Sequence, residues 1–444
     1  MSNKLEQQAS RVSVVTLGCE KNTVDSEVIM GMLSRRGLRM EEDAENADTV
    51  IINTCGFIDV AKKESVSAIL EALELKKQGI VKNVYVAGCL SERYRADLES
   101  ELPDVDRFFG TQDFERILES IHPDTSTELD LKRDLLGERV LTTPRHFAYM
   151  KISEGCDNPC SFCAIPIMRG GHRSRSIEEL EFEAMMLAGN GVKEIVLIAQ
   201  DSTYYGLDLY GDRTLAKLLT RLTKVQGIEW VRLMYAYPAK FPMDVLDVIA
   251  GEEKIAKYLD IPVQHASTKV LKSMRRGITR RATEDLIGKI RDKVPGITLR
   301  TTLIAGYPDE GEAEYAEMEE FVTQMQFDRL GVFTYSLEEG TTAFPLDDPI
   351  PHTEKLRRQA RLYEIQADVS LEKNIKKIGS MQRVLVERLE DDGDGAFYFG
   401  RTEADAPEVD NEVRIESSSE ITIGDFVHVR VTSATEHELE AQLV

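Results

Sequence analysis

Residues 154–163 read Glu154-Gly155-Cys156-Asp157-Asn158-Pro159-Cys160-Ser161-Phe162-Cys163, directly after an apolar run, Phe147 to Ile152, that has the look of a buried strand. The spacing is C-x3-C-x2-C, with an aromatic residue just ahead of the last cysteine. Thiolates are the soft ligands that iron–sulfur clusters require. Three of them in so short a loop can grip three irons of a [4Fe–4S] cube and leave the fourth iron open to a small molecule. The competing reading is a structural zinc site. Zinc wants four ligands, commonly as two C-x2-C pairs. Here there is one such step, no fourth cysteine nearby, and His172 lies nine residues on. The ligand chemistry favours the cluster.

The sequence around that loop alternates strand-like and helix-like patterns. Candidate strands are Phe147 to Ile152, Glu194 to Ala199, Trp230 to Ala236, Tyr258 to Pro262, Thr298 to Ala305 and Arg329 to Tyr335. Six β/α units over 145–377 predict a partial (β/α)6 barrel with its chemistry at the carboxyl ends of the strands. The cysteine loop follows the first strand, at that rim. A charged helix from about Thr353 to Lys377 closes the segment, with Gly379 as its stop.

The N-terminal segment, 11–122, has the same rhythm. Arg11 to Leu17, Asp48 to Asn53 and Asn83 to Ala87 read as short buried strands. Asp25-Ser26 reads as the cap of a first helix, and Val66, Ile69, Leu70 and Leu73 as the buried face of a second. Strand–helix alternation predicts a doubly wound parallel α/β domain. Cys19, Cys55 and Cys89 stand alone in sequence, yet each falls just past the end of one strand. Parallel strands end on a common edge, where ligand sites gather. Taken singly, a free cysteine is commonly a small buried hydrophobe. Three at the same strand-end position suggest a second cluster, again with one open iron.

Residues 1–10 are polar and read as a disordered tail, and 123–144 as a linker. The last segment, 378–444, has short β-like runs (Arg383 to Glu387, Glu412 to Ile415, Asp425 to Val431) between turns such as Asp391-Asp392-Gly393-Asp394-Gly395. It reads as a small antiparallel β-barrel. The chain as a whole is therefore an α/β multidomain protein.

With 444 residues, 42% hydrophobic and 30% charged, the composition is that of a globular protein with several cores. No apolar run is long enough to span a bilayer, and Met1 to Ser10 lacks an apolar signal core. Six cysteines are too few for a disulfide scaffold, and reduced thiols suit a cytoplasmic location. The net charge of −23 argues against broad attraction to phosphate backbones. Residues 381–444 hold 16 acidic and 5 basic side chains, a net of −11 that would repel nucleic acid and attract a basic partner.

With these residues in view, the chain resembles the methylthiotransferases, a branch of the radical S-adenosylmethionine (AdoMet) enzymes. The likeness runs through Thr16-Leu17-Gly18-Cys19, Asn22, Asp25-Ser26-Glu27, Asn53-Thr54-Cys55 and Gly88-Cys89. It continues through Ile152 to Cys156, Val263-Gln264-His265-Ala266-Ser267, Met274-Arg275-Arg276-Gly277 and a TRAM-like tail. The resemblance implies that Cys156, Cys160 and Cys163 hold the AdoMet-binding [4Fe–4S] cluster. It implies that Cys19, Cys55 and Cys89 hold an auxiliary [4Fe–4S] cluster carrying the incoming sulfur. Two AdoMet molecules are then consumed per turnover, one methylating the sulfur and one yielding the radical. By position, Gln200, Asp201 and Gly306 are candidates for AdoMet binding, and the basic run Arg275, Arg276, Arg280, Arg281 for contact with a carboxylate.

One branch of that family modifies an adenosine of transfer RNA. The other modifies the β-carbon of an aspartate in the twelfth small-subunit ribosomal protein. Lys21-Asn22 and Val24 after Cys19 resemble the protein-modifying branch, although Glu20 stands where that branch usually has proline. The acidic tail points the same way. Expected partners are a basic ribosomal protein docked on that tail, an electron donor and a sulfur source, without membrane or direct nucleic-acid binding. Asp309 and Gly311 depart from the family's Gly-Glu-Thr after Pro308 and put that loop's geometry in question. The alternatives are a transfer-RNA methylthiotransferase and a non-enzymatic iron–sulfur electron carrier.

Overall fold

A computed structural model describes residues 10–121, 139–391 and 396–444. The expected tail up to residue 9, most of the expected linker and the turn residues 392–395 lie outside the described residues. The chain divides into two compact units: Met1–Thr142 with Ala164–Gly171, and Thr143–Cys163 with His172–Val444.

The first unit has five parallel strands, β1 (Arg11–Thr16), β2 (Arg39–Glu41), β3 (Thr49–Thr54), β4 (Asn83–Gly88) and β5 (Arg107–Phe108), of which β1, β3 and β4 are rich in β-branched residues. Their order is β2-β1-β3-β4-β5. This is a doubly wound sheet, and its topological switch point lies between β1 and β3. The period-two alternation of β3 divides the core. Ile51 packs with Ile29, Met32 and Leu33 of the helix Glu20–Arg35 and with Ile117 and Leu118 of the helix Phe114–Ile121. Val50 and Ile52 pack on the other face with Ile69, Ala72 and Leu73 of the helix Asp59–Lys77.

Two local expectations shift. The first helix starts at Glu20 with Cys19 as its N-cap, so Asp25 and Ser26 lie inside it, both buried. They serve tertiary contacts described below rather than a cap. In the second helix Leu70 is 51% exposed, because the buried stripe runs through Ser65, Ile69, Ala72 and Leu73.

The second unit contains six parallel strands: β6 (Phe147–Lys151), β9 (Glu194–Ile198), β10 (Trp230–Leu233), β11 (Ile255–Asp260), β12 (Thr298–Ala305) and β13 (Arg329–Thr334). A short antiparallel pair, β7 (Ser153–Glu154) and β8 (Arg173–Ser174), flanks the cysteine loop. The sheet order β13-β12-β11-β10-β9-β6 follows the chain, so the carboxyl ends share one edge of an open barrel. Strand β11 begins three residues before the expected Tyr258. Lys257 is exposed between buried neighbours and interrupts the apolar run in the sequence.

After the helix His352–Ile375 come β14 (Met381–Asp391), β15 (Ala396–Thr402), β16 (Glu412–Glu416), β17 (Phe426–Ala434) and β18 (Glu438–Leu443). They close a barrel in the order β14-β15-β16-β18-β17. Every pair is antiparallel except β16 with β18, which run parallel. Gly400 has no room for a side chain, since a Cβ there would sit 2.3 Å from the Leu385 carbonyl oxygen.

The barrel joins the six-stranded sheet through buried polar pairs. Glu194 bonds Arg232 at 2.7 Å and Arg401 at 2.7 Å, and Arg401 also reaches Glu387. Asp405 pairs with Arg329, and Asp410 accepts from Tyr258 at 2.6 Å. Burial alone would raise the Glu387 carboxyl, but His146 and Arg401 hold it down at about 2.

Candidate functional site

The loop after β7 carries Cys156, Cys160 and Cys163, all half-buried. Neighbours from five other segments fix it. Asn158 donates to Asp201 at 2.7 Å and lies 3.5 Å from the Cys156 sulfur. Asp201 in turn accepts from the Thr203 amide and hydroxyl at 2.9 and 2.7 Å. Arg276 is buried, with Nη1 3.4 Å from the Cys160 sulfur and its guanidinium 4.2 Å from the Tyr237 ring centroid. The Tyr237 hydroxyl lies 3.8 Å from the same sulfur and donates to the Arg276 carbonyl at 2.7 Å. Ser161 donates to the Ser273 carbonyl at 2.9 Å, and Phe162 packs on the cluster formed by Val270, Met274, Tyr307 and Tyr335. Burial, with Asp201 and Cys160 adding to it, pushes the Cys156 thiol up to about 11. Metal ligation supplies the opposing pull that makes such a thiol a thiolate.

Along the same edge, several buried polar atoms have no partner among the described residues. They are Ser153 Oγ, Gln200 Oε1, Gln264 Oε1 and the Tyr335 hydroxyl. They follow β6, β9, β11 and β13 respectively. Buried polar groups without partners are costly and mark where a ligand is expected. Gln264 is also held at φ +72°, a strained value for a residue other than glycine. The set fits a polar molecule with several donors and acceptors, as AdoMet is.

The three residues expected to face AdoMet separate in role. Gln200 presents its free Oε1 while its Nε2 donates to Glu154 at 3.1 Å. Asp201 is fully engaged in tethering the cysteine loop. Gly306 turns at φ +82°, and a Cβ there would meet Lys355 at 2.3 Å. Its amide donates to Glu310 at 2.9 Å, and Glu310 also bonds His265 at 3.0 Å and Arg358 at 2.8 Å. The unusual Asp309 accepts from Ser273, and the Gly311 amide donates to Glu314 at 3.0 Å, starting the helix Glu312–Met325. The altered residues are thus absorbed into ordinary turn and cap contacts. Of the basic run, Arg276 reaches the cysteine loop, Arg280 pairs with Glu284 and Glu320, and Arg275 and Arg281 are exposed.

In the first unit, Cys19, Cys55 and Cys89 follow β1, β3 and β4, three adjacent strands of the sheet. A Cβ on Gly18, which sits at φ +92°, would lie 2.9 Å from the Cys55 sulfur. Asn22 is the hub. Its Nδ2 donates to the Leu17 and Thr54 carbonyls at 2.7 and 3.1 Å, and its Oδ1 lies 3.8 Å from the Cys89 sulfur. Asn53 donates to the Asn22 carbonyl and to Ser26, both at 2.9 Å. Arg169, 2% exposed, donates to Asn22 Oδ1 at 2.6 Å and to Asp25 at 3.0 Å. Burial raises the Cys55 thiol and pushes Cys89 up to about 12, against the pull of Arg169. Each of these two thiols feels Cys19. Among the described residues, no three histidine, cysteine or acidic side chains close on a single ion. Three thiols in each cysteine set are the donor type that an iron–sulfur cluster takes.

Sequence reasoning did not assign roles to Arg169, Asn158, Tyr237 or Tyr335. Arg169 lies in a basic stretch after the cysteine loop that carries no distinguishing spacing.

Three family models match successive parts of the chain: uncharacterized protein family UPF0004 over residues 11–110, the radical SAM superfamily over 150–322, and the TRAM domain over 378–444. The ribosomal protein uS12 methylthiotransferase RimO of Cytophaga hutchinsonii is 50% identical over 440 residues, 98% of each chain. That of Christiangramia forsetii is 52% identical over 431 residues, 97% of this chain and 93% of its own. The chain belongs to the RimO family of methylthiotransferases. Among solved structures, the radical S-adenosylmethionine methyltransferase TsrM from Kitasatospora setae, with cobalamin and a [4Fe–4S] cluster bound, shares the fold at 14% identity. The TM-score is 0.55, over 76% of this chain and 77% of TsrM. RimO membership accounts for the conjunction of a cysteine-bearing α/β unit, a partial barrel and a small closed barrel. Among the described residues, no helix is long and apolar enough to cross a membrane.

Proposed function

We propose that this RimO-family chain is a radical AdoMet enzyme that methylthiolates the β-carbon of an aspartate in ribosomal protein uS12. The observation that carries the reading is the pairing of two cysteine triads. One lies in a single loop at the carboxyl edge of the partial barrel, the other at the ends of β1, β3 and β4. Cys156, Cys160 and Cys163 would hold the AdoMet-binding cluster, and Cys19, Cys55 and Cys89 a sulfur-carrying one. When bound, these groups supply one-electron hydrogen abstraction from an unactivated carbon and the sulfur that replaces the hydrogen.

The protein's part is placement. Asn158 and Asp201 hold the loop at Cys156, and Arg276 with Tyr237 holds it at Cys160. The Asn158 amide points an N–H donor at the Cys156 sulfur, which favours its anionic thiolate. Gln200, Gln264, Ser153 and Tyr335 would bind and orient AdoMet through their free polar atoms. Glu310 braces the Gly306 turn from beneath, and Asn22 with Arg169 fixes the auxiliary triad. Two AdoMet molecules per product follow from separate methyl-transfer and radical roles.

The substrate is basic as a class, and the acidic barrel suits it. Part of that acidity is turned inward, since Asp405 and Asp410 are buried against Arg329 and Arg300. Docking then rests on the outward carboxylates, such as those of β16 and β18. Intact-mass analysis of ribosomal proteins from cells with and without the gene tests the proposal. Loss of a methylthio increment on uS12 is expected. Loss from transfer RNA instead, with uS12 unchanged, would refute it.

A further inference from the structure

A cavity of about 730 Å³ opens between the segment after β10 and the helices Thr268–Ser273 and Arg280–Lys293. Its charge is anomalous. Lys240, Lys272, Arg275 and Lys289 line it, and no aspartate or glutamate does. All four are exposed, and none makes an ion pair or a side-chain hydrogen bond among the described residues. The chain has 78 acidic residues to 55 basic, so four uncompensated cations around one opening are not a statistical residue of composition. Neighbouring Arg280, by contrast, is saturated by Glu284, Glu317 and Glu320. Phe241 and Leu286 supply an apolar floor. An apolar centre inside a charged rim is the anatomy of a protein-docking surface.

The position of the cavity matters as much as its charge. Pro238 and Arg275 belong to its wall. The next residues inward are Tyr237 and Arg276, whose side chains lie 3.8 and 3.4 Å from the Cys160 sulfur. Tyr237 and Arg276 are further joined by a 2.7 Å hydrogen bond and by stacking at 4.2 Å. A single layer of bonded side chains thus separates a cationic surface from a thiol of the catalytic loop.

We propose that this surface docks a small acidic one-electron carrier protein and is the entry point for reducing equivalents. The inference rests on the cluster assignment made under the proposed function. One electron would pass from the reduced carrier to the cluster that Cys156, Cys160 and Cys163 would hold. The carrier ends one electron more oxidised, and no atom or proton is transferred. The four cations attract the carrier's acidic face and repel the basic ribosomal substrate, so the two proteins are directed to different surfaces. Electron transfer through protein weakens steeply with distance, and the Tyr237–Arg276 layer keeps that path short.

The test uses the reconstituted full-length enzyme and the variant Lys240→Glu/Lys272→Glu/Lys289→Glu, with the neutral Gln set as a second variant. Purified acidic flavodoxin serves as probe. Binding is measured by calorimetry against salt, and product formation is driven either by photoreduced flavodoxin or by dithionite. The expected result is that flavodoxin affinity falls at least about tenfold in the Glu set and less in the Gln set. The salt dependence should flatten, and flavodoxin-driven turnover should drop while dithionite-driven turnover is kept. Unchanged flavodoxin binding and turnover in both variants overturns the docking proposal. Absence of dithionite-driven product in the unmodified enzyme would instead overturn the proposed function, and flavodoxin binding still reports on the surface in that case.

Discussion

The two cysteine triads are assembled by opposite means. The central set is local: Cys156, Cys160 and Cys163 share one loop, and side chains from elsewhere only steady it. The N-terminal set is built by topology: Cys19, Cys55 and Cys89 are brought together only because β1, β3 and β4 lie side by side. A local triad tolerates disturbance of the sheet beneath it, whereas a topological triad is only as sound as the fold that assembles it. The N-terminal set accordingly has the more elaborate buried support, with Asn22, Asn53, Asp25 and Arg169 in one network.

The largest expected effects come from removing one cysteine from each set. Cys160→Ala and Cys19→Ala should each lower methylthiolated product by more than about a hundredfold and each retain about four irons instead of about eight. They should differ in one respect: 5′-deoxyadenosine formation is lost in Cys160→Ala and kept in Cys19→Ala. Chromatography of anaerobic single-turnover mixtures reads this, and equal loss in both variants would erase the distinction between the triads.

Next comes Arg169→Leu, which removes the 3.0 Å pair with Asp25 and the 2.6 Å bond to Asn22. Breaking a buried ion pair from one side costs about 3–5 kcal/mol. The N-terminal unit should melt earlier and lose its iron while the central loop keeps its own, as iron analysis and calorimetry would show.

The barrel seam sharpens the contrast by providing a cysteine-free region of the molecule. Glu387 is held at about 2, below the ordinary carboxylate value of 4.5. Its contribution is therefore complete above pH 4.5 and is lost as the pH falls through 2, about 3 kcal/mol in all. The single tryptophan, Trp230, packs edge-on against Phe426 of the barrel at 4.7 Å, so its fluorescence reports this seam. The emission should shift within that acid window in apo-protein, and a transition near neutral pH would contradict the assignment.

The smallest effect is at Asn158. Asn158→Ala removes the 2.7 Å bond to Asp201 and the contact to Cys156. A charge-assisted bond of this kind is worth about 1.5–3 kcal/mol. AdoMet cleavage should slow about tenfold without change in N-terminal iron.

Much of this was legible in the sequence, for reasons that differ between regions. The cysteines at strand ends could be read because β-branched runs stop abruptly at them. The partial barrel could be read because its strands are nearly continuous in apolar residues. Arg169 could not, since its role exists only once the sheet has brought Asn22 and Asp25 to it. Strands β15 and β18 escaped notice because Gly400 and Arg401 disguise the first, and the second alternates Leu439, Ala441 and the partly buried Leu443 with polar residues. At the carboxyl edge of the partial barrel, Asp201 was found by position, while its bond to Asn158 of the cysteine loop is visible only in the fold. Tyr335 and Gln264 acquire meaning only from their unpartnered atoms.

The chain leaves the second unit after Cys163, gives Ala164–Gly171 to the first, and returns at His172. Ala164 and Met168 pack with Cys89 there. No single cut can therefore release either unit intact. A fragment ending at Thr142 would carry all three N-terminal thiols and forfeit the guanidinium that steadies them. The two halves must be inherited, expressed and exchanged as one piece.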